Sequence, residues 1–196
     1  MILALDTSTP ILSVALVHEG RVVAEATHSA KAGDALPRAL LDLGPLDRVE
    51  GIAVGVGPGS FTGLRVGLAS AKALAYARRW PIAGASSLAA LAFGTRGPVA
   101  PAIEGRKGEL FVALYEDGVA RAPEQIVRAA DLASLFPGAR VLTGTPPASA
   151  IAHLARMPLA FDLEACFTLA PNYLQAPTAE VALAEGRVGG LDRRRA

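Results

Sequence analysis

The residues best suited to chemistry in this 196-residue chain form a glycine-rich loop, residues 55–67, with the sequence GVGPGSFTGLRVG. An apolar strand pattern precedes the loop and a long helical pattern follows it. Backbone N–H groups at such a turn can bind a phosphate, and glycines there also allow unusually close packing. The loop is therefore either a ligand site or a contact surface.

The glycine spacing does not match the common phosphate-binding motifs. The P-loop motif ends in Gly-Lys-Ser/Thr, whereas Gly63 is followed by leucine and arginine. The dinucleotide motif needs glycine at its first, third and sixth positions, and the sixth is Ser60 or Thr62, depending on the starting glycine. The loop residues that stay weak candidates for binding a cofactor are Gly57, Gly59 and Ser60.

A second candidate is the sequence DTST at residues 6–9, where a carboxylate ends a strand pattern beside a hydroxyl-rich turn. Such a turn can hold a phosphate or Mg²⁺ through its N–H groups and the carboxylate. The alternative is an ordinary β-turn capped by its own side chains. The weak candidates for cofactor binding here are Asp6, Thr7 and Ser8.

Other chemistry lacks a complete set of residues. His18, His28 and His153 have no second histidine or cysteine at ligand spacing, so we expect no metal site. Cys166 is the single cysteine and lies in an apolar stretch typical of a core position. A nucleophile elbow is absent around Ser60, and no catalytic residue is predicted.

Composition narrows the class of protein. The net charge of +1 gives no overall signature of nucleic-acid binding, although no acidic residue occurs between Glu50 and Glu104, where basic residues do. No apolar run is long enough for a membrane span, and no charged leader precedes the first strand pattern. We therefore expect a cytoplasmic protein. The arginines at 193–195 are typical of a solvated terminus.

The elements that must position these residues fall into two halves. Strands are predicted at 2–5, 13–17, 21–26, 51–56 and 82–84, with helices at 34–43, 60–79 and 86–93. The second half is predicted to contain strands at 99–103, 110–115 and 139–142, with helices at 130–136, 148–156 and 179–185. This order predicts an α/β fold with a mixed sheet, divided into lobes at 1–96 and 97–196.

The long predicted helix, 60–79, is apolar over most of its circumference. Small residues recur along it at steps of four: Gly59, Gly63, Gly67, Ala71 and Ala75. A glycine inside a helix costs about 1 kcal/mol relative to alanine, so this stripe needs a packing reason. The chain's own second lobe or another subunit could cover it, and the pattern leaves both open.

These residues resemble the bacterial TsaB (YeaZ) family. The segments that carry the resemblance are ILALDTST at 2–9, LP at 36–37, GPGSFTGLRVG at 57–67, SSL at 86–88, RKGELF at 106–111 and PNYL at 171–174. The glycine-rich block is highly specific and the other segments support it. The chain departs from the family pattern at Lys31, Glu104 and Gln175, positions that concern a ligand held by the lobes.

The resemblance implies an ASKHA fold, the two-lobed fold of actin, Hsp70 and sugar kinases. It implies a mixed five-stranded sheet with helices in the first lobe and a reduced second lobe. It also implies a role in making N6-threonylcarbamoyladenosine (t6A) at position 37 of tRNAs that read ANN codons. In that pathway TsaD carries the metal and the transfer chemistry, TsaE is an ATPase, and TsaB is a non-catalytic scaffold.

The same resemblance implies how the chain assembles. TsaD and TsaE are the expected partners, tRNA is reached only through the complex, and the isolated chain is expected to form a homodimer. ATP and metal would belong to the partner subunits, so no cofactor is expected on this chain alone. The predicted interface residues, on helices 34–43 and 60–79, are Leu36, Leu40, Gly59, Phe61, Gly63, Leu64, Arg65, Gly67, Leu68, Ala71, Lys72 and Ala75.

Two alternatives remain. The first is an ASKHA-type ATP-dependent phosphotransferase that uses Asp6 and the turns at 7–9 and 57–60. The second is an endopeptidase, against which the missing nucleophile–base pair argues.

If the glycine stripe is the docking surface, Gly63→Leu or Gly67→Leu should block assembly with TsaD while the monomer still folds. Size-exclusion chromatography of the mixed subunits would test this, and an intact complex with either variant would contradict it.

Overall fold

Two mixed β-sheets form the framework of the molecule, as seen in a computed structural model that describes residues 1–29 and 32–174. The first sheet contains β1 (Ile2–Asp6), β2 (Ile11–His18), β3 (Arg21–Ser29), β4 (Gly51–Gly55) and β5 (Ile82–Ala85). The second sheet contains β6 (Pro98–Glu104), β7 (Glu109–Glu116), β8 (Val119–Arg128) and β9 (Arg140–Leu142). The helices are α1 (Ala32–Asp42), α2 (Phe61–Arg78), α3 (Ser87–Ala92), α4 (Leu132–Leu135), α5 (Ala148–Leu154) and α6 (Leu163–Thr168).

The first sheet has the strand order β3-β2-β1-β4-β5. Strands β1, β2 and β3 form an antiparallel meander, whereas β4 and β5 run parallel to β1. The predicted mixed five-stranded sheet is therefore confirmed. Because parallel strands end at one edge, Asp6, Gly55 and Ala85 lie together at what we call the carboxyl edge.

The two faces of this sheet carry side chains of different size. Leu3, Leu5, Ile52 and Val54 point into a cluster with α1 and α2, and the intervening Ala4 and Ala53 point towards α5. Alternation along a strand produces this division. A face of alanines lets the short helix α5 lie close to the strands.

Helix α5 belongs to the second half of the sequence, yet it packs on β1, β2 and β4. Helix α6 likewise returns to contact α2. The predicted boundary between residues 96 and 97 falls between the strands of the two sheets, but the helical segments after β9 cross back over it. The predicted helix 179–185, the terminal arginines, Lys31 and Gln175 lie outside the described residues.

The second sheet has the order β8-β7-β6-β9. Strand β8 was not predicted, because it is an edge strand that contains Pro123 and four polar residues and has no fully buried position, so apolar residues do not alternate along it. Helix α6 was also missed, since its six residues are too few for a periodic pattern. None of the helices in the described part of the chain is long and apolar enough to span a bilayer.

Helix α2 begins at Ser60, whose Oγ accepts a hydrogen bond from Gly63 N at 3.2 Å. Its small-residue stripe faces inwards. A Cβ added at Gly63 would overlap the Thr7 carbonyl oxygen, and one added at Gly67 would overlap the Thr7 hydroxyl. The turn after β1 therefore occupies the space that these glycines leave.

This packing corrects the predicted role of the stripe. The following predicted interface residues are buried within the chain itself and present no side chain to a partner: Leu36, Gly63, Leu64, Gly67, Leu68, Ala71 and Ala75. Gly59 is only half-buried, but it too faces the chain's own turn, because its Cβ would overlap the Ser8 carbonyl oxygen. The expectation that Gly63→Leu and Gly67→Leu spare the folded monomer is consequently wrong.

Gly67→Ala should lower the free energy of unfolding by about 1–3 kcal/mol, because the new methyl group overlaps the buried Thr7 side chain. The matched control is Gly33→Ala in α1, where the space around the glycine is open. The control should be neutral or stabilise by up to about 1 kcal/mol, since alanine is the better helix former. Urea unfolding of both variants would decide, and equal effects would contradict the close approach of Thr7.

Candidate functional site

The carboxyl edge of the first sheet holds a buried carboxylate. Asp6 is fully buried, and its Oδ1 accepts hydrogen bonds from Ser8 N (2.8 Å) and Ser8 Oγ (2.6 Å). Its Oδ2 accepts a hydrogen bond from Ser87 Oγ (2.6 Å). Burial raises the pKa of Asp6, and the hydrogen bonds from Ser8 and Ser87 oppose that rise. Both carboxylate oxygens are thus occupied by the chain's own donors.

Further hydrogen bonds tie the glycine-rich loop to this carboxylate. Ser60 N donates to Ser8 O (2.7 Å), and Ser87 N donates to Gly57 O (2.8 Å). Thr7 Oγ1 donates to the Gly63 carbonyl at 2.8 Å. A Cβ at Gly55 would overlap Asp6 Oδ2, so the last residue of the neighbouring strand β4 also has to be glycine. Among the described residues, no buried side-chain nitrogen or oxygen lacks a partner.

This network changes the interpretation of the cofactor candidates. Asp6, Thr7 and Gly57 are buried in the interior, and Ser8, although also buried, lies at the base of the cleft described below. A Mg²⁺–phosphate group held by Asp6 does not fit this arrangement, because both oxygens are already bonded and shielded from solvent. The two candidates that reach the surface are Gly59 and Ser60.

Gly59 and Ser60 border a cleft of about 420 Å³ between the glycine-rich loop and the second half of the chain. Phe61 and Tyr173 form part of its wall, with their ring centroids 4.9 Å apart. Arg106, from the turn between β6 and β7, lines the opposite side. The cleft has aromatic, polar and charged walls, and sequence analysis did not predict it.

A carboxylate clamp holds the segment that forms one cleft wall. Glu124 Oε1 and Oε2 accept hydrogen bonds from Ser86 Oγ and Asn172 Nδ2, respectively. The backbone N–H of Asn172 donates to Val56 O at 2.7 Å. Burial raises the pKa of Glu124. Burial and the nearby Glu124 charge also raise the pKa of Tyr115. The clamp joins β8, the start of α3 and the chain before residue 175.

The histidines and the cysteine lie apart from both features. His28 Nε2 is 3.0 Å from Asp42 Oδ2, and both ring nitrogens of His153 lie within 3.0 Å of backbone carbonyl oxygens. Cys166 is buried, with its Sγ 3.6 Å from Lys72 O. Within residues 1–29 and 32–174, no three His, Cys, Asp or Glu side chains converge on a point where a metal ion could bind.

The surface of α1 and α2 that faces away from the sheet remains open. We call this the outer surface and define it by Leu41, Val66, Ala69, Ala73 and Tyr76. Leu41 is 75% exposed and Tyr76 is 57% exposed. Among the predicted interface residues, Arg65 is exposed, and four are half-buried: Leu40, Gly59, Phe61 and Lys72.

The small-residue pattern placed the predicted contact on the glycine side of α2, so the outer surface was not predicted. The helical period contains the information needed to find it. Once the glycines are assigned to the interior, positions half a turn away, such as Ala69 and Ala73, must face outwards.

Comparison with known proteins gives the class of protein. The family model for TsaD, the tRNA N6-adenosine threonylcarbamoyltransferase, matches residues 22–182. YeaZ from Pseudomonas aeruginosa has a similar structure, with a TM-score of 0.65 and 26% identity, covering 95% of this chain and 93% of that one. The chain therefore belongs to the TsaD family, and the predicted ASKHA-type α/β fold is confirmed.

Two sequence relatives narrow this assignment. A tRNA threonylcarbamoyladenosine biosynthesis protein TsaB of Bacillus subtilis is 36% identical over 126 residues, 59% of this chain and 55% of that protein. The aligned part thus spans about half the length of this relative. An uncharacterised protein of Mycobacterium bovis is 33% identical over 195 residues, 93% of this chain and 90% of its own. Within the wider family, the chain belongs to the TsaB (YeaZ) family.

Glu124→Gln should become more stable relative to the unaltered chain as pH rises above about 4.5, the ordinary pKa of the carboxyl group. Because the folded-state pKa is raised, ionisation disfavours the folded state, and stability falls as pH rises towards that pKa. Glutamine stays neutral, so the two proteins should differ least below pH 4.5. Denaturant unfolding between pH 4 and 8 measures the difference. The control is Glu104→Gln, an exposed carboxylate at the same cleft, and a pH-independent difference for Glu124→Gln would contradict the assignment.

Proposed function

We propose that this chain is a non-catalytic subunit that supports formation of t6A at position 37 of ANN-decoding tRNAs by binding TsaD. TsaE would join the same complex in the cytoplasm. Family membership supports the pathway, since the TsaB relative is named for threonylcarbamoyladenosine biosynthesis. The observation that carries the scaffold role is the contrast between an enclosed carboxylate at the carboxyl edge and an open, largely apolar outer surface.

The enclosed carboxylate supports a role without chemistry on this chain. A catalytic carboxylate must touch the reacting atoms or a metal that touches them. Asp6 is fully buried and both its oxygens are bonded to serine side chains or backbone. On this proposal the chain binds no cofactor alone, and ATP and metal belong to the partner subunits.

The outer surface has the properties of a helix-docking surface. Ala69 and Ala73 are small and exposed, which lets the backbone of a partner helix come close. Leu41 and Tyr76 extend beyond them and could enter pockets on the partner, since exposed aromatic and large aliphatic groups often anchor interfaces. The same surface would pair two copies of the isolated chain, so a homodimer and the complex with TsaD would exclude each other.

A double variant, Ala69→Glu with Ala73→Glu, should prevent assembly with TsaD, because two carboxylates would be placed in the contact. The loss should be at least a hundredfold in affinity, since each buried unpaired charge costs several kcal/mol. Isothermal titration calorimetry with purified TsaD measures it. The matched control is Ala133→Glu, an exposed alanine on α4, which should bind like the unaltered chain.

All these alanines are exposed, so the melting temperature of the variants should change little. Normal binding of TsaD by the double variant would contradict the proposed surface. Tight binding of Mg-ATP by the isolated, unaltered chain would contradict the proposal that ATP and metal bind only to the partner subunits.

A further inference from the structure

A row of cations runs along the side of α2 that faces α6. Arg65, Lys72 and Arg79 are spaced by seven residues, so they lie on one side of the helix over about 21 Å. We call these three residues the cationic row. Arg78 lies beside its end. In the described part of the chain, none of the four forms an ion pair with Asp or Glu.

Each member of the row lies next to an aromatic residue. The guanidinium carbon of Arg65 is 4.9 Å from the centroid of the Phe61 ring, and that of Arg79 is 5.1 Å from the Phe161 ring. Lys72 Nζ donates to the carbonyl of Phe167 at 2.8 Å, and the Phe167 side chain is 67% exposed. The row therefore combines positive charge that has no acidic partner with one exposed aromatic ring, that of Phe167, and two half-buried rings.

Two carboxylates lie near this surface, and they do not neutralise its positive charge. Asp162 Oδ1 accepts a hydrogen bond from Glu164 N at 2.9 Å, so Asp162 serves as the N-cap of α6. Glu164 is in the first turn of that helix, where a negative charge interacts favourably with the helix dipole. The three cations of the row and Arg78 thus outnumber the two nearby carboxylates, which stabilise the N-terminus of α6.

We infer that the cationic row and Phe167 bind single-stranded RNA, with phosphates on the cations and an unstacked base on the exposed ring. A groove of cations with interleaved aromatic rings is the arrangement that holds single strands, because phosphates need charge and bases need a stacking surface. The choice of RNA as the polyanion rests on the proposed function. It adds a direct contact to the expectation that tRNA is reached only through the complex.

The test uses the full chain and a fluorescent RNA stem-loop with a seven-nucleotide loop, compared with a fully paired RNA of the same length. Binding is measured by anisotropy at several salt concentrations. The row variant carries Arg65→Gln, Lys72→Gln and Arg79→Gln. Its matched control carries Arg96→Gln, Arg128→Gln and Arg140→Gln, which remove the same charge from exposed positions elsewhere.

The unaltered chain should bind the stem-loop more tightly than the duplex. The row variant should lose at least tenfold in affinity at low salt, and its salt slope should fall by about 2, since each phosphate contact on a single strand contributes about 0.7. The control should lose less than threefold. Phe167→Ala should remove the preference for the loop while leaving the salt slope unchanged.

If the row variant and the control lost equal affinity for RNA, binding would depend only on the net charge of the protein, and the inference would be overturned. Displacement of the RNA by poly-glutamate at equal charge concentration would assign the row to an acidic protein segment and also overturn it. Assembly of the row variant with TsaD is measured in parallel. If the row variant loses RNA binding but still binds TsaD, the result supports a role of the cationic row in RNA binding. If the unaltered chain does not bind TsaD, the result contradicts the proposed function and not the inference about RNA.

Discussion

The close approach of the turn after β1 to helix α2 is the contact on which the rest of the first lobe depends. Thr7 and Ser8 fill the space left by three glycines at steps of four, and hydrogen bonds run in both directions across the contact. The same turn donates two of the three hydrogen bonds to the fully buried Asp6 carboxyl group, the third coming from Ser87. Packing and polar satisfaction at this point therefore cannot be changed separately, since each glycine makes room for an atom of the network.

The sequence predicted the elements of this lobe well because their patterns are strong. The strands at the meander, the glycine loop and the long helix all appear close to the expected positions. The direction in which the stripe faces could not be predicted, because a four-residue period places Gly63 and Gly67 on one face without saying what lies opposite. The answer depends on Thr7, which is 56 residues before Gly63 in the chain, and only the parallel pairing of β1 with β4 brings the two together.

The second half illustrates the other limit of prediction. Glu124 follows Pro123 on an edge strand in which apolar residues do not alternate, and Asn172 lies in a segment with no periodic pattern. Neither residue belongs to a motif that chemistry would single out. Their function as a clamp arises from the place where β8, the start of α3 and the returning chain meet. Such three-way contacts are properties of the tertiary structure and have no signal in local sequence.

The inward position of the glycines does not by itself explain why α2 has so little polar surface. A helix that uses one face for close packing normally has a broad polar face opposite. In α2, Ala69 and Ala73 lie on the outer side, and the cations Arg65 and Lys72 lie beside them, towards α6. Helix α2 contacts the turn after β1 on its glycine side and α6 on the side of Lys72, so the exposed Ala69 and Ala73 contribute little to the stability of the monomer. The exposed alanines of this surface have no role inside the monomer, which is the condition that the proposed docking of a partner requires, although the glycines that first indicated an interface lie inside the molecule.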